Sequence, residues 1–577
     1  MKKICCWLLL LWAGRAAAGE LLGGEWKFHA AQHNASFAQT SGVLRLEIRQ
    51  PSEPFYLTQL TQTLSTPLPI GHKIVFSFQA RATGGNTLRA LLEQNGMPYT
   101  AVVGISPTLG AEWKTYRTFD VTDRDWPADA LGLRFQVGQQ AGTIELRDIR
   151  LVDAGTDTRF EAAQAALAPE KIAARIAQHR MADLHIEVRD AAGRPVPNAT
   201  IHIEQQQHAF LFGANIFELK PNDPSPQQRA YQEQFAALLN YATLPFYWGM
   251  FEHRRGEPQY ERLSNMARWC QAHGLACKGH PLIWHMVWPS WAPAEAEAAI
   301  PLLRARVFDL IPRYRETIRY WDVLNEANSA MHDRKAGEGQ WIKREGPAAV
   351  VATALGWARE ANRQSGATLL YNDFKIGADN EALLRGLRDR NALPDVIGIQ
   401  SHMHGGLWPL PQAWDVVERF AAFGKPIHFT EMTVVSGPEP QHDPGKEWVP
   451  NWNTTPAGEA AQAKYVAELY TVLFSHPALQ AITWWDFSDD RAWKGAPAGL
   501  VRKDMTPKPV YTALHKLIRE TWWTRADATA DARGAALVRV YRGTHTLTAR
   551  DAAGHTSTQQ VELPISCAEK TVTLQLK

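Results

Sequence analysis

From residue 19 to about 155 the chain runs in short stretches of alternating apolar and polar positions, among them "GVLRLEIRQ", "KIVFSFQARA", "WKTYRTFDV", "ALGLRFQVG" and "TIELRDIRLV". Gly, Pro and Asn turns separate them. A period of two puts every second side chain on one face, so each run predicts a strand with one buried side, and the set predicts a β-sandwich over 19–155. The pattern then changes to "FEAAQAALAPEKIAARIAQHR", Ala-rich, helical in spacing and interrupted at Pro169, which predicts a helical linker. "DLHIEVRD" and "ATIHIEQQ" flank the turn "AAGRPVPN" and predict a β-hairpin, so that linker and hairpin together fill 156–208.

Over 209–520 apolar runs alternate with helical patterns: "AFLFGANIF", "YATLPFYW", "ACKGHPLIWH", "RYWDVLNE", "ATLLYNDF", "DVIGIQSHMH", "PIHFTEMTV" and "AITWWDFSDD". Eight such strands, most followed by a helix, over about 250 residues or more predict one (β/α)₈ TIM barrel, whose active residues lie at the C-terminal ends of its strands. The last stretch, 521–577, with "ALVRVYRGTHTLTARD" and "KTVTLQLK", predicts a small C-terminal all-β domain. The expected protein is therefore multidomain, with a barrel between two β regions.

Composition narrows the partners. The 577 residues are 45% hydrophobic, enough for several cores, and a formal net charge of +2 gives no broad attraction to nucleic acid or to an anionic membrane. A neutral partner fits better. The start of the chain, with Lys2 and Lys3, a short apolar run and small residues at Ala16 and Ala18, has the layout of a cleavable secretory leader over 1–18, cut near Ala18. The mature protein is then secreted or periplasmic and free of the membrane. Cys5 and Cys6 leave with the leader, and Cys270, Cys277 and Cys567 form neither a disulfide framework nor a metal-ligand spacing. Most of the 22 tryptophans fall within the barrel region, where rings that fill a core can also stack on sugar faces.

The run "RYWDVLNEAN" ends an apolar stretch in Asn325 and Glu326, where a buried, unpaired carboxylate would be costly. At the end of the fourth barrel strand Glu326 opens instead on the mouth, and Glu431 does so at the end of the seventh. Two carboxyl groups at one mouth suit glycoside hydrolysis: one protonates the leaving oxygen while the other attacks the anomeric carbon or activates water.

From about Phe210 to Leu517 the chain resembles glycoside hydrolase family 10, the retaining endo-β-1,4-xylanases. "KGHPLIWH" followed by "VWPSW", then "WDVLNEAN", "LYNDF", "GIQSHMH", "HFTEM", "TWWDFSDDRAW" and "KDMTPKPVY", stand in that family's order and at its spacing. The resemblance implies Glu326 as acid/base, Glu431 as nucleophile, xylan or a related plant cell-wall polysaccharide as substrate, and no organic cofactor or catalytic metal. It also implies that Asn325 hydrogen-bonds the sugar 2-hydroxyl, that His402 holds the nucleophile with Gln400 two residues before it, and that His280 and Trp284 wall the central sugar subsite. Trp485 and Trp493 match its aromatic floor and lid, while Trp291 and Trp321 are expected in packing. Retaining chemistry needs Glu326 protonated at the start, which predicts a raised pKa and a bell-shaped pH profile. The N-terminal strands resemble the jelly-roll carbohydrate-binding modules that precede such barrels, although a purely structural sandwich fits the same pattern.

Two departures stand out. The family's "ENxxKW"-like segment, whose Asn and Lys bind sugar on the nonreducing side, is replaced by "YATLPFYWGMFE", and the usual His-Ser-Gln of the third strand by His285, Met286 and Val287. That shift from polar to apolar points to a decorated xylan, another β-linked glycan or a short-ended, exo-like cleft. The family's Glu-x-Asp is here Glu431, Met432 and Thr433, so a hydroxyl without charge faces His402. Two other classes remain open: a metal-dependent hydrolase using His280, His285, His402 and His404, and a polysaccharide-binding protein whose barrel has lost turnover. A polysaccharide substrate and a monomer are the expected partner and state.

Overall fold

The computed structural model describes residues 19–577 apart from 84, 97–98, 331–332, 334 and 441–446; the expected leader lies outside the described residues. The N-terminal unit consists of two antiparallel sheets. One runs Ala35–Thr40, Val43–Ile48, Gly142–Thr156, His72–Ala82, Lys114–Val121; the other runs Lys27–His29, Gln59–Thr63, Leu131–Gln136, Arg89–Gln94, Ala101–Ile105. The alternation along His72–Ala82 puts Ile74, Phe76, Phe78 and Ala80 into the core they enclose, against Leu133 and Phe135 of the second sheet.

In the second unit eight parallel strands close into a barrel: β1 Leu211–Asn215, β2 Tyr241–Pro245, β3 Ala276–His280, β4 Tyr320–Asn325, β5 Thr368–Asp373, β6 Val396–Ile399, β7 Ile427–Val434 and β8 Leu479–Trp484. Each pairs with its neighbours in sequence, and β8 returns to β1. Helices cover the outside, so the strands are buried on both faces and read as nearly continuous apolar runs. The connecting helices start where the sequence supplies a cap: Ser225 accepts a hydrogen bond from the Gln228 amide at the head of Pro226–Leu238, with proline at the first position. Gly279 is required in β3 because a Cβ there would lie 2.1 Å from the fully buried Trp321 ring, which packs on the strand backbone. Among the described residues no helix is long and apolar enough to cross a membrane.

The strands Met181–Arg189 and Thr200–His208, expected as a hairpin, do not pair with each other. The first lies between Ala535–Tyr541 and Glu569–Gln575, and the second between Arg525–Thr529 and Gly543–Arg550, with Thr556–Leu563 at the edge. Their apolar faces meet in one core containing Leu184, Ile186, Ile201, Ile203, Val540, Leu547 and Leu574. The C-terminal β domain is thus completed by strands that precede the barrel. A lone hairpin would have left its apolar side in water, and the far end of the chain covers it.

Candidate active site

Asn325 is the last residue of β4 and Glu326 follows it in the left-handed backbone region, φ 60°. A residue with a Cβ pays roughly 1–3 kcal/mol for that conformation, and here the amide is held by a hydrogen bond to the Asn372 carbonyl of β5, 2.9 Å away. The turn delivers the carboxyl into three donors. Oε1 accepts from Gln400 Nε2 at 2.8 Å and from Asn325 Nδ2 at 3.2 Å, and Oε2 accepts from Trp284 Nε1 at 3.1 Å. Burial pushes its pKa up to about 7; the Gln400 and Trp284 hydrogen bonds pull the other way, and the charge of Glu431 adds to the rise. Glu326 therefore holds a proton near neutrality and can release one.

Glu431 stands on β7 and is 3% exposed, so its ionisation needs compensation. Burial alone would raise its pKa, but the imidazoles of His280 and His402 and the Lys278 ammonium outweigh that and hold it below the ordinary carboxylate value. Asn372 Nδ2 donates to Oε1 at 2.7 Å, and His402 Nε2 lies 3.1 Å from Oε2. In the tautomer that donates from Nε2, His402 Nδ1 accepts from the Thr433 hydroxyl, 2.9 Å away. The uncharged residue at 433 thus orients the histidine. Behind His280, whose Nε2 is 3.8 Å from Glu431, its Nδ1 lies 2.7 Å from Asp322, and Asp322 pairs with the fully buried Lys278 at 2.8 Å.

The two carboxyl groups are joined through amides. Gln400 Nε2 touches Glu326 at 2.8 Å and Asn325 Oδ1 at 3.3 Å, while Asn372 Nδ2 bridges Asn325 Oδ1 at 2.8 Å and Glu431 at 2.7 Å. Aromatic rings frame this network. Trp485 meets His280 and His402 edge-on at 5.5 and 5.8 Å, and Trp493 lies 4.8 Å from His402, its indole N–H on Glu447 at 2.8 Å. Trp284 stands at Glu326. All nine expected site residues, Glu326, Glu431, His280, Trp284, Asn325, Gln400, His402, Trp485 and Trp493, thus fall into one connected cluster. Trp321 is fully buried, and Trp291 packs beside Trp248 with its N–H on the Glu252 carbonyl. His280 and His402 are engaged on Glu431 as described, and among the described residues no set of three or more His, Cys, Asp or Glu gathers in a metal-holding arrangement.

Sequence reasoning missed four members of the site. Asn372 belongs to "LYNDF", but an amide within an apolar strand signals nothing by itself until its neighbours are known. Lys278 and Asp322 leave a clearer trace, as two opposite charges inside strands otherwise fit for burial. Tyr247, just past β2, reads as one more aromatic core residue.

A family model described as glycosyl hydrolase family 10 matches residues 203–517. The chain is 27% identical over 328 residues to Endo-1,4-beta-xylanase B of Thermotoga neapolitana, a match covering 54% of this chain and 88% of that protein. It is 23% identical over 391 residues to Anti-sigma-I factor RsgI6 of Acetivibrio thermocellus, covering 65% of this chain and 45% of that protein. Among solved structures, xylanase 10B from Thermotoga petrophila in complex with xylobiose superposes with a TM-score of 0.46 at 23% identity, over 54% of this chain and 95% of that one.

Proposed function

The chain belongs to glycosyl hydrolase family 10, and on that premise we propose that its cleft cleaves β-1,4-linked xylan by double displacement, with Glu326 as acid and base and Glu431 as nucleophile. The observation that carries this reading is one hydrogen-bonded cluster holding two carboxyl groups of opposite bias, Glu326 raised by burial to about 7 and Glu431 held below the ordinary carboxylate value by imidazole and ammonium. Glu431 attacks the anomeric carbon while Glu326 passes its proton to the leaving oxygen. A covalent glycosyl ester results, and the leaving chain departs with a free hydroxyl at its new nonreducing end. Esterification removes the charge on Glu431, so the pKa of Glu326 falls, and the resulting carboxylate takes a proton from the water that releases the sugar. Asn325 supplies an amide for the 2-hydroxyl, fixed between Asn372 and Gln400.

The apolar side chains on the loops after β2 and β3 favour a second reading of the substrate, a decorated xylan or another β-linked glycan. A screen of the purified protein on xylans, mixed-linkage glucans and aryl glycosides separates the two, with product lengths and anomeric configuration followed by NMR. Products of retained configuration from unsubstituted xylan support the first reading, and products from decorated xylan or glucan alone favour the second. No hydrolysis of any of them refutes both.

The N-terminal sandwich is proposed as a glycan-binding module. Opposite its core, Gln59 and Thr61 sit beside Gln136 and Arg134, and Gln136 is 5% exposed with Oε1 engaged by no described residue. Such a group asks for a polar ligand. Affinity electrophoresis of the full chain in xylan gels, with and without Arg134→Ala, tests it: retardation lost in the variant is expected. Export and a monomeric state complete the proposal.

A further inference from the structure

Tyr247 lies two residues past the end of β2 and is 9% exposed. Its ring meets His280 edge-on at 5.4 Å and Trp284 at 5.2 Å, the two side chains that reach Glu431 and Glu326 respectively, and Phe217 closes the third side at 5.6 Å. Its backbone is equally fixed, since its carbonyl accepts from the Met250 and Phe251 amides at 3.0 and 2.7 Å. Yet no described residue hydrogen-bonds its hydroxyl. Burial, and then the charges of Glu431 and Glu326, hold its ionisation well above the ordinary phenol value, so the hydroxyl stays protonated and a donor. Farther out, the loops after β2 and β3 are tied by the Gly249 amide on the Val287 carbonyl at 2.8 Å. The side chains they expose are Met250, Met286 and Val287, at 58, 44 and 40%.

We propose that Tyr247 is a substrate-contacting residue that sets specificity: its hydroxyl hydrogen-bonds the sugar ring lying over Glu431, and the rim beyond meets the next sugar with apolar side chains. This rests on the glycosidase reading of the cleft. A sugar hydroxyl over Met250, Met286 or Val287 would give up water without gaining a partner, so a second glycone unit adds little. Recognition then ends at one unit on that side.

The test uses the full chain and its Tyr247→Phe variant, which keeps the ring and should keep the melting temperature. On 4-nitrophenyl β-xyloside the variant should lose roughly 10–100-fold in kcat/KM, the effect of one hydrogen bond in a water-poor site. Among the 2-, 3- and 4-deoxy xylosides, one should lose a similar factor on wild type and nothing further on Tyr247→Phe, the non-additivity expected of two partners in one bond. An unchanged rate in the variant, or losses that add for all three deoxy sugars, overturns the contact while leaving the glycosidase reading intact. For wild type, kcat/KM on the β-xylobioside within about fivefold of the β-xyloside supports the apolar rim; a gain of about a hundredfold or more overturns it. A wild type inert on both glycosides defeats the underlying reading as well.

Discussion

Neutralising Glu431 should lower the pKa of Glu326, and the amount can be bounded. In a retaining pair the carboxyl groups stand about 5–5.5 Å apart. At an effective dielectric constant of about 20 two unit charges at that distance repel by about 3 kcal/mol, which corresponds to about 2 pKa units. Burial is the larger cause of the rise in Glu326 from 4.5 to about 7, so removing the Glu431 charge should undo only part of it. Glu431→Gln keeps the shape and can still accept from Asn372 while removing the charge. Carbon-13 NMR titration of labelled glutamate should show the Glu326 carboxyl moving down by about 1–2 units in this variant, and it should stay above the ordinary value of 4.5. In wild type the same group sets the alkaline limb: kcat/KM should fall as pH rises through about 7, where Glu326 loses its catalytic proton, and fall again below 4.5, where Glu431 gains one. A Glu326 resonance that titrates identically in wild type and Glu431→Gln, or moves upward, refutes the electrostatic coupling on which the mechanism depends.

Two further variants probe the support of the site. Lys278→Met removes one side of a buried pair and strands Asp322, so unfolding in urea should show a loss of about 3–5 kcal/mol. The acid limb of the pH profile should move upward, since Lys278 helps hold Glu431 ionised; a variant as stable as wild type with the same limb contradicts both roles. Asp486 behaves in the opposite sense. Burial raises its pKa from 3.8 to about 7, the Trp493 amide lowers it, and Asp489 and Glu431 raise it further. Because the folded value exceeds the unfolded one, ionisation opposes folding: stability is full below about 4 and falls as pH rises through 7, by about 4 kcal/mol at most. Asp486→Asn should therefore raise the melting temperature at pH 8 and leave it nearly unchanged at pH 4; equal melting at pH 8 would show that the carboxyl is not strained when charged.

The barrel is legible in the sequence because its strands, covered on both faces, stand out as apolar runs, and because polar residues at their C-terminal ends need a reason to be there. Asn325, Glu326, Gln400, His402 and Glu431 all carry that signal. The partners of Met181–Arg189 and Thr200–His208 are not legible, because a period of two marks a strand and its apolar face but not the strand beside it, here supplied from the last fifty-odd residues. Tyr247 and Asn372 escape for a related reason. An aromatic or an amide within an apolar run looks like core until the neighbouring strands show that one packs on His280 and Trp284 and the other ties Asn325 to Glu431.

The nucleophile is identified by trapping the intermediate with 2,4-dinitrophenyl 2-deoxy-2-fluoro-β-xyloside and mapping the adduct by peptide mass spectrometry. One fluoroxylosyl group per chain is expected, bound through an ester to Glu431. Full turnover of xylan with no adduct, or an adduct on any other residue, contradicts it.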